Sequence, residues 1–366
     1  MTGTDLGRRA LNRATLERQW LLRRADASVP AAVAHLVGLQ AQTPHSWYVG
    51  LWSRLAGFRP EHAADLLADR TLVRIALMRS TIHLVTGADA LALRPLVQSV
   101  IERSTNGNFG KRLAGLDREE LAAAGRAVVD ERPRTFADLG RELAPRWPDR
   151  DPAALVQGVR AGVALVQVPP RGLWGRSGPV AHTSAEAWLG RPLAPTTRED
   201  LVRRYLAAFG PATVKDVQTW CGLTRLREVL DGLRPELVTF TDPDGRELFD
   251  LPDAPRPDPD TPAPPRFLYD YDNLLLSHAD RSRFVTDAYA RQDFPPDGAQ
   301  PSVLLVDGVT AGVWTLNRAR GTATLTVRPF ARLSAVDRDA VAAEGADLLA
   351  FAAPEDTPDV RFDPPR

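Results

Sequence analysis

An α+β fold is predicted by three observations: helical segments punctuated by short hairpins before residue 252, a proline-rich break over 252–265, and alternating strand-like runs after it. In chain order, helices are expected near 13–24, 30–39, 47–57 and 60–68, followed by a strand pair at 73–78 and 82–86. Ser28-Val29-Pro30 starts the second of these helices, and Thr43-Pro44 stops it, because the residue before a proline avoids the α region. A second set follows, with helices at 136–143 and 152–162, a strand at 163–168, a Pro169-Pro170-Arg171-Gly172 turn, and a return strand from Leu173 onward. The third set is the clearest. A helix at 213–220 meets the tight turn Cys221-Gly222-Leu223, and Thr224 caps a second helix through Leu233. Strands at 237–241 and 246–251 then flank Asp242-Pro243-Asp244-Gly245, a strong hairpin signal. Two helices followed by such a hairpin make a winged helix, so three tandem winged-helix units are expected, at 1–110, 111–195 and 196–251. The segment 252–265 reads as a linker or stiff surface loop. Runs at 302–306, 312–316 and 323–327, with a helix at 335–351, predict a small β-barrel or sheet domain over 266–366.

Composition is ordinary for a globular protein: 366 residues, 44% hydrophobic and 25% charged. No run approaches the roughly 18 apolar residues of a membrane span, and the first residues lack a signal-peptide pattern, so a cytoplasmic protein is expected. Cys221 is the single cysteine, which excludes an internal disulfide and thiolate metal clusters. The formal net charge is zero, yet it is unevenly spread: 12 basic against 7 acidic residues lie in 1–100, 22 against 21 in 101–250, and 12 against 18 in 251–366. The N-terminal end is therefore the basic one, which bears on nucleic-acid binding. There is no phosphate-binding Gly-x-x-x-x-Gly-Lys loop, no dinucleotide fingerprint, and no metal-ligand spacing among His35, His45, His62, His83, His182 and His278. No cofactor or metal is expected.

Gln40 and Gln42 fall where the helix from Ser28 must end. Residues two apart on a regular helix point about 200° apart, but at an extended end they face one side and can share a substrate. Arg79, Thr81 and His83 lie on the expected hairpin, where alternation puts all three on one face. Trp47, Trp52, Trp220 and Trp314 sit at helical or strand spacing, which favours core over base stacking.

The stretch 35–52 around Gln40-Ala41-Gln42 resembles the signature of the bacterial winged-helix DNA glycosylases of the AlkZ and YcaQ group, in its Gln-x-Gln form. Met78-Arg79-Ser80-Thr81-Ile82-His83 is similar to that family's Arg-x-Thr-x-His hairpin. The segment from Phe267 through Asp272-Asn273, His278, Arg281 and Arg283 resembles its strand-and-loop region, and Gly308–Trp314 is similar to the family as well. Tyr269-Asp270 stands where the family suggests proline. The resemblance implies a monofunctional glycosylase that removes N7-alkylguanine-type cationic purines, including bulky natural-product adducts or interstrand crosslinks, in base excision repair or toxin self-resistance. It implies Gln40 and Gln42 as the catalytic pair, with His35, Arg54, Arg79, Thr81, His83, Asn273, His278, Arg281 and Arg283 as DNA contacts. The partner would be double-stranded DNA containing alkylated purines, bound by a monomer. The chemistry is consistent: a glutamine amide does not ionise near neutral pH and is no strong base, whereas a cationic purine leaves without protonation. The rival reading is a winged-helix transcriptional regulator that binds DNA and catalyses nothing. A DNA-binding homologue without activity is a third.

Overall fold

A computed structural model of the chain describes residues 4–294 and 301–365. The first stretch runs β1 (Thr4–Asp5), α1 (Arg8–Arg18), α2 (Val29–His35), β2 (Leu39–Gln40), α3 (Trp47–Trp52), α4 (Pro60–Ala68), β3 (Leu72–Ala76), β4 (Ile82–Thr86), α5 (Gly87–Leu96) and α6 (Gln98–Phe109). Ser28 accepts a hydrogen bond from Ala31 N and caps α2, with Pro30 in its first turn. The helix nevertheless ends well before Thr43-Pro44, because Val37 and Gly38 take φ values of 54° and 89° and reverse the chain. The helix expected at 13–24 is likewise displaced to α1, and Trp20, at φ 56°, turns the chain just beyond it. The one expected at 47–57 stops at Trp52, since Leu55 bridges to Ala25.

Next come α7 (Arg118–Glu131), β5 (Arg134–Thr135), α8 (Phe136–Leu143), α9 (Pro152–Gly162), β6 (Leu165–Gln167), β7 (Ala181–Ser184) and α10 (Ala185–Leu189). The side chains of Thr135 and Asp151 cap α8 and α9, which is why both helices match their expected bounds. No return strand begins at Leu173: its N–H bonds back to Pro170, that of Arg176 back to Leu173, and the strand forms later, as β7.

The third stretch is α11 (Arg198–Phe209), α12 (Val214–Cys221), α13 (Arg227–Leu233), β8 (Val238–Thr241) and β9 (Glu247–Asp250). A capping box between Thr213 and Asp216 opens α12, and Gly222 at φ 80° closes it. Thr224 does not cap α13; Arg225 has φ 60°, and the Leu226 N–H goes to the Gln218 side chain instead. Asp242 Oδ1 accepts from Asp244 N and Arg246 N and tightens the predicted hairpin.

Residues 252–265 form neither helix nor strand, but they are no free tether. The carbonyls of Pro255, Pro259 and Thr261 accept from Arg18, Arg9 and Arg13, which straps the segment onto α1. The last stretch holds β10 (Arg266–Leu268), α14 (Asn273–Leu276), α15 (Asp287–Ala290), β11 (Val303–Val306), β12 (Val309–Ala319), β13 (Thr322–Pro329), α16 (Ala335–Ala352) and β14 (Thr357–Phe362). Its sheet is not a barrel. The order β10-β11-β12-β13-β14 is open, with β10 and β14 at the edges. Val341, Leu348 and Leu349 of α16 pack on Leu325 and Val327, so a helix rather than closure buries that face.

What positions the site is a six-stranded sheet in the order β2-β4-β3-β6-β7-β5. It joins the β3–β4 hairpin to the β6–β7 pair through two residue pairs, Arg74 with Gln167 and Ile75 with Val166. Trp47, Trp52, Trp220 and Trp314 are all core residues. Among the described residues, no helix is long and apolar enough to cross a membrane, and no group of three or more His, Cys, Asp or Glu could hold a metal ion.

Candidate active site

Gly38 allows the reversal that creates the site. A Cβ there would sit 2.6 Å from Val85 Cγ1 and 2.9 Å from Leu84 O, in addition to the positive φ. Beyond it the chain runs extended against β4, Leu39 opposite Leu84 and Gln40 opposite His83. The ladder breaks after Ala41. Its N–H still donates to Ile82 O (2.7 Å), but its carbonyl accepts from Arg74 Nη2 (2.7 Å), and the Ile82 N–H donates to Gln42 Oε1 (3.3 Å). Gln40 and Gln42 thus lie on extended chain, not on a helix end, with quite different surroundings. Gln40 is buried, and its Oε1 accepts from Arg79 Nη2 (2.6 Å). Gln42 is exposed.

Segment 269–273 holds this strand from behind. Tyr269 donates its hydroxyl to Gln40 O (2.9 Å), Asn273 Nδ2 donates to Gly38 O (2.6 Å), and Thr43 donates to Asp270. Arg54, fully buried, donates to both Asp272 oxygens, at 2.7 and 2.9 Å. Nothing in the sequence pairs residues so far apart.

A cavity of about 290 Å³ opens beside Gln42, lined also by Ser80, Ile82, Arg94, Phe136, Gln157, Arg160, Gln167 and His182. Arg160 donates to Ser80 O (2.6 Å) and Oγ (3.2 Å), tying α9 to the tip of the β3–β4 hairpin. His182 stacks on Phe136 at 4.1 Å. Burial lowers its pKa to about 4, so the ring is neutral at physiological pH.

Four arginines surround this region: Arg74, Arg79, Arg94 and Arg160. Their acceptors are neutral: Ala41 O for Arg74, Gln40 Oε1 and Trp220 O for Arg79, Gln98 Oε1 and Ala161 O for Arg94, and Ser80 for Arg160. Among the described residues, none of the four has a carboxylate at salt-bridge distance. Elsewhere, several buried arginines are paired with carboxylates, as in Arg18–Asp250, Arg54–Asp272 and Arg266–Glu344, whereas Arg283 meets only Thr15 and Pro211 O among the described residues. Burial lowers the pKa of Arg74, Arg79 and Arg94 to about 10, which still leaves them charged at pH 7. A chain of zero net charge therefore concentrates uncompensated positive charge around Gln42.

The remaining expected DNA contacts divide sharply. Arg79 lies not on a strand face but in the turn, where φ values of 55° at Arg79 and 63° at Ser80 bend the backbone tightly. Thr81 Oγ1 closes that turn on Met78 O. His83 is fully buried, with Nδ1 on Thr81 O (3.0 Å). Burial, reinforced by the Arg79 charge, lowers its pKa to about 3. His35 stacks on Trp20 at 4.5 Å and bonds the Arg18 carbonyl. His278 bonds Phe209 O, and Arg283 bonds Thr15 and Pro211 O, both in the interior. Interior roles therefore replace the expected DNA contact for Arg54, His83, Asn273, His278 and Arg283. Arg281 alone in its segment is an exposed cation. No spacing signal in the sequence marks Arg94, Arg160, His182 or Tyr269 as site residues.

A family described as DNA glycosylase AlkZ-like matches residues 33–351. The interstrand DNA cross-link repair glycosylase of Streptomyces sahachiroi is 25% identical, over 91% of this chain and 93% of its own length. The solved structure of Streptomyces sahachiroi DNA glycosylase AlkZ shares the fold with a TM-score of 0.77 at 21% identity, covering 99% of this chain and 100% of that one.

Proposed function

This chain belongs to the AlkZ-like DNA glycosylase family and is a DNA glycosylase, and from that premise we propose that its substrate is a cationic N7-alkylated purine in double-stranded DNA. The observation that carries the reading is Gln42, exposed on the wall of a cavity also lined by Arg94 and Arg160, neither of which has a carboxylate partner among the described residues. Arg160, the more accessible of the two, meets a phosphate beside the lesion, and the buried Arg94 adds to the positive potential of the cavity. The C1′–N9 bond breaks with its electron pair passing to the purine, which N7 alkylation has already made positive and which leaves neutral. Water adds to C1′, and its proton passes to solvent. A neutral amide suffices for this, since Gln42 Oε1 keeps a lone pair beside its long bond to Ile82 N and can orient the attacking water. The neutral His83 and His182 add no competing acid.

The relative's cross-link repair extends the proposal to interstrand crosslinks and bulky adducts, with a role in base excision repair or self-resistance to a DNA-alkylating product. Three winged-helix units over 1–110, 111–195 and 196–251, acting as a cytoplasmic monomer, complete it. The three hairpins that follow helices support that division. Membership of a glycosylase family disfavours the purely regulatory reading.

The test is release of free base from duplex containing N7-methylguanine, followed under single-turnover conditions. Wild-type protein should liberate the base, and Gln42→Ala should slow release by about 100-fold or more while DNA affinity holds. A protein that binds the alkylated duplex and releases nothing would refute this substrate assignment.

A further inference from the structure

We propose that Arg79 is a positioning residue: it fixes the Gln40 carboxamide with the oxygen turned inward and leaves the NH2 as the group presented to the lesion. This rests on the cationic-purine excision proposed above, to which it adds Gln40 as the second glutamine of the catalytic pair. The two glutamines then differ in kind. Gln42 offers an acceptor to the water, whereas Gln40 offers a donor to an electron-rich atom of the departing purine, where density gathers as the bond breaks.

The geometry is specific. A guanidinium has only donors, so the amide atom it meets at 2.6 Å must be the oxygen, and Nε2 donates to no acceptor among the described residues. Arg79 also donates to Trp220 O, a carbonyl in the last turn of α12 that lacks an intrahelical partner, at the negative end of that helix. The turn that carries Arg79 is bent by two successive positive φ values, and Arg160 clasps its tip through Ser80. Three elements thus aim one guanidinium at one amide. A largely desolvated guanidinium satisfied only by neutral oxygens is a poor stabilising device, since its desolvation is not offset by an opposite charge.

Gln40→Glu is the decisive variant. A carboxylate at this position pairs with Arg79 and has no NH2, so the protein should melt no lower than wild type and yet excise at least about tenfold more slowly. Excision at the wild-type rate or above would overturn the proposal. Arg79→Lys keeps the charge but not the fork. It should slow excision by about tenfold in the wild-type background and by less than about twofold in the Gln40→Ala background, because it acts through Gln40. Equal slowing in both backgrounds would overturn the proposal. So would a fall of about 1 in the salt dependence of binding to undamaged duplex, which marks a phosphate contact. A readout independent of activity is the Gln40 side-chain NH2 resonance, expected to be distinct in wild type and averaged in Arg79→Lys. An unchanged resonance sinks the positioning role even where no lesion is excised, whereas a protein that excises no N7-alkylpurine but shows the resonance change loses only the substrate assignment.

Discussion

Arg54→Met should destabilise the protein without weakening its hold on DNA. Arg54 and Asp272 are both about 1% exposed, joined through two bonds of 2.7 and 2.9 Å, and Arg54 also donates to Gly50 O and Gln19 Oε1. Methionine fills much of the volume but leaves the Asp272 carboxylate with only the Leu274 N–H as a near donor among the described residues. Removing one partner of a buried pair costs about 3–5 kcal/mol, mainly through the stranded charge. Unfolding entropy near 2.1 cal/mol/K per residue gives about 0.8 kcal/mol/K for a chain of this length, so the melting temperature should fall by about 4–6 °C. Calorimetry measures that fall, and fluorescence anisotropy across a salt series measures affinity for undamaged duplex. A variant that melts within about 1 °C of wild type while its salt slope drops by about 1 would show Arg54 on phosphate and refute the structural assignment.

Arg160→Ala should weaken duplex binding and lower the salt slope by about 1, because this cation faces the cavity without a carboxylate partner; an unchanged slope removes it from the DNA path. Stability should fall on acidification below about pH 6.5. His83 and His182 have folded pKa values of about 3 and about 4, below the ordinary histidine value, so the unfolded chain takes up protons that the folded chain refuses. The stability is fully present above about 6.5, and each residue forfeits about 2 kcal/mol by pH 5. Thermal melts at pH 7.5 and 5 check the sign, and an NMR titration placing either ring near 6.5 would contradict it. Excision should meanwhile show no histidine ionisation between about pH 6 and 8.

The sequence was most informative where local chemistry decides structure. Thr135 and Asp151 cap α8 and α9, Asp242 and Gly245 make the hairpin, and each element lies where its residues place it. It misjudged elements that end through backbone reversal, above all at Val37 and Gly38, where no proline or turn cluster announces the positive φ. The Gln40-Ala41-Gln42 stretch, expected at a helix end, lies on extended chain against β4 instead. The arginine cluster was illegible for a different reason. Arg18 and Arg54 look no different in sequence from Arg79 and Arg160; only the fold decides which of them finds a carboxylate. Tyr269, read merely as a departure from an expected proline, proves to hold the backbone of Gln40.

That last contact spans 229 residues. On the ribosome, at about 5–20 residues per second, Gln40 emerges roughly 10–50 s before the tyrosine that will steady it. The nascent chain therefore passes through a period in which its first hairpins can have collapsed while the strand bearing both glutamines is still unsupported. That support arrives only once the segment carrying Tyr269 has followed it out of the ribosome.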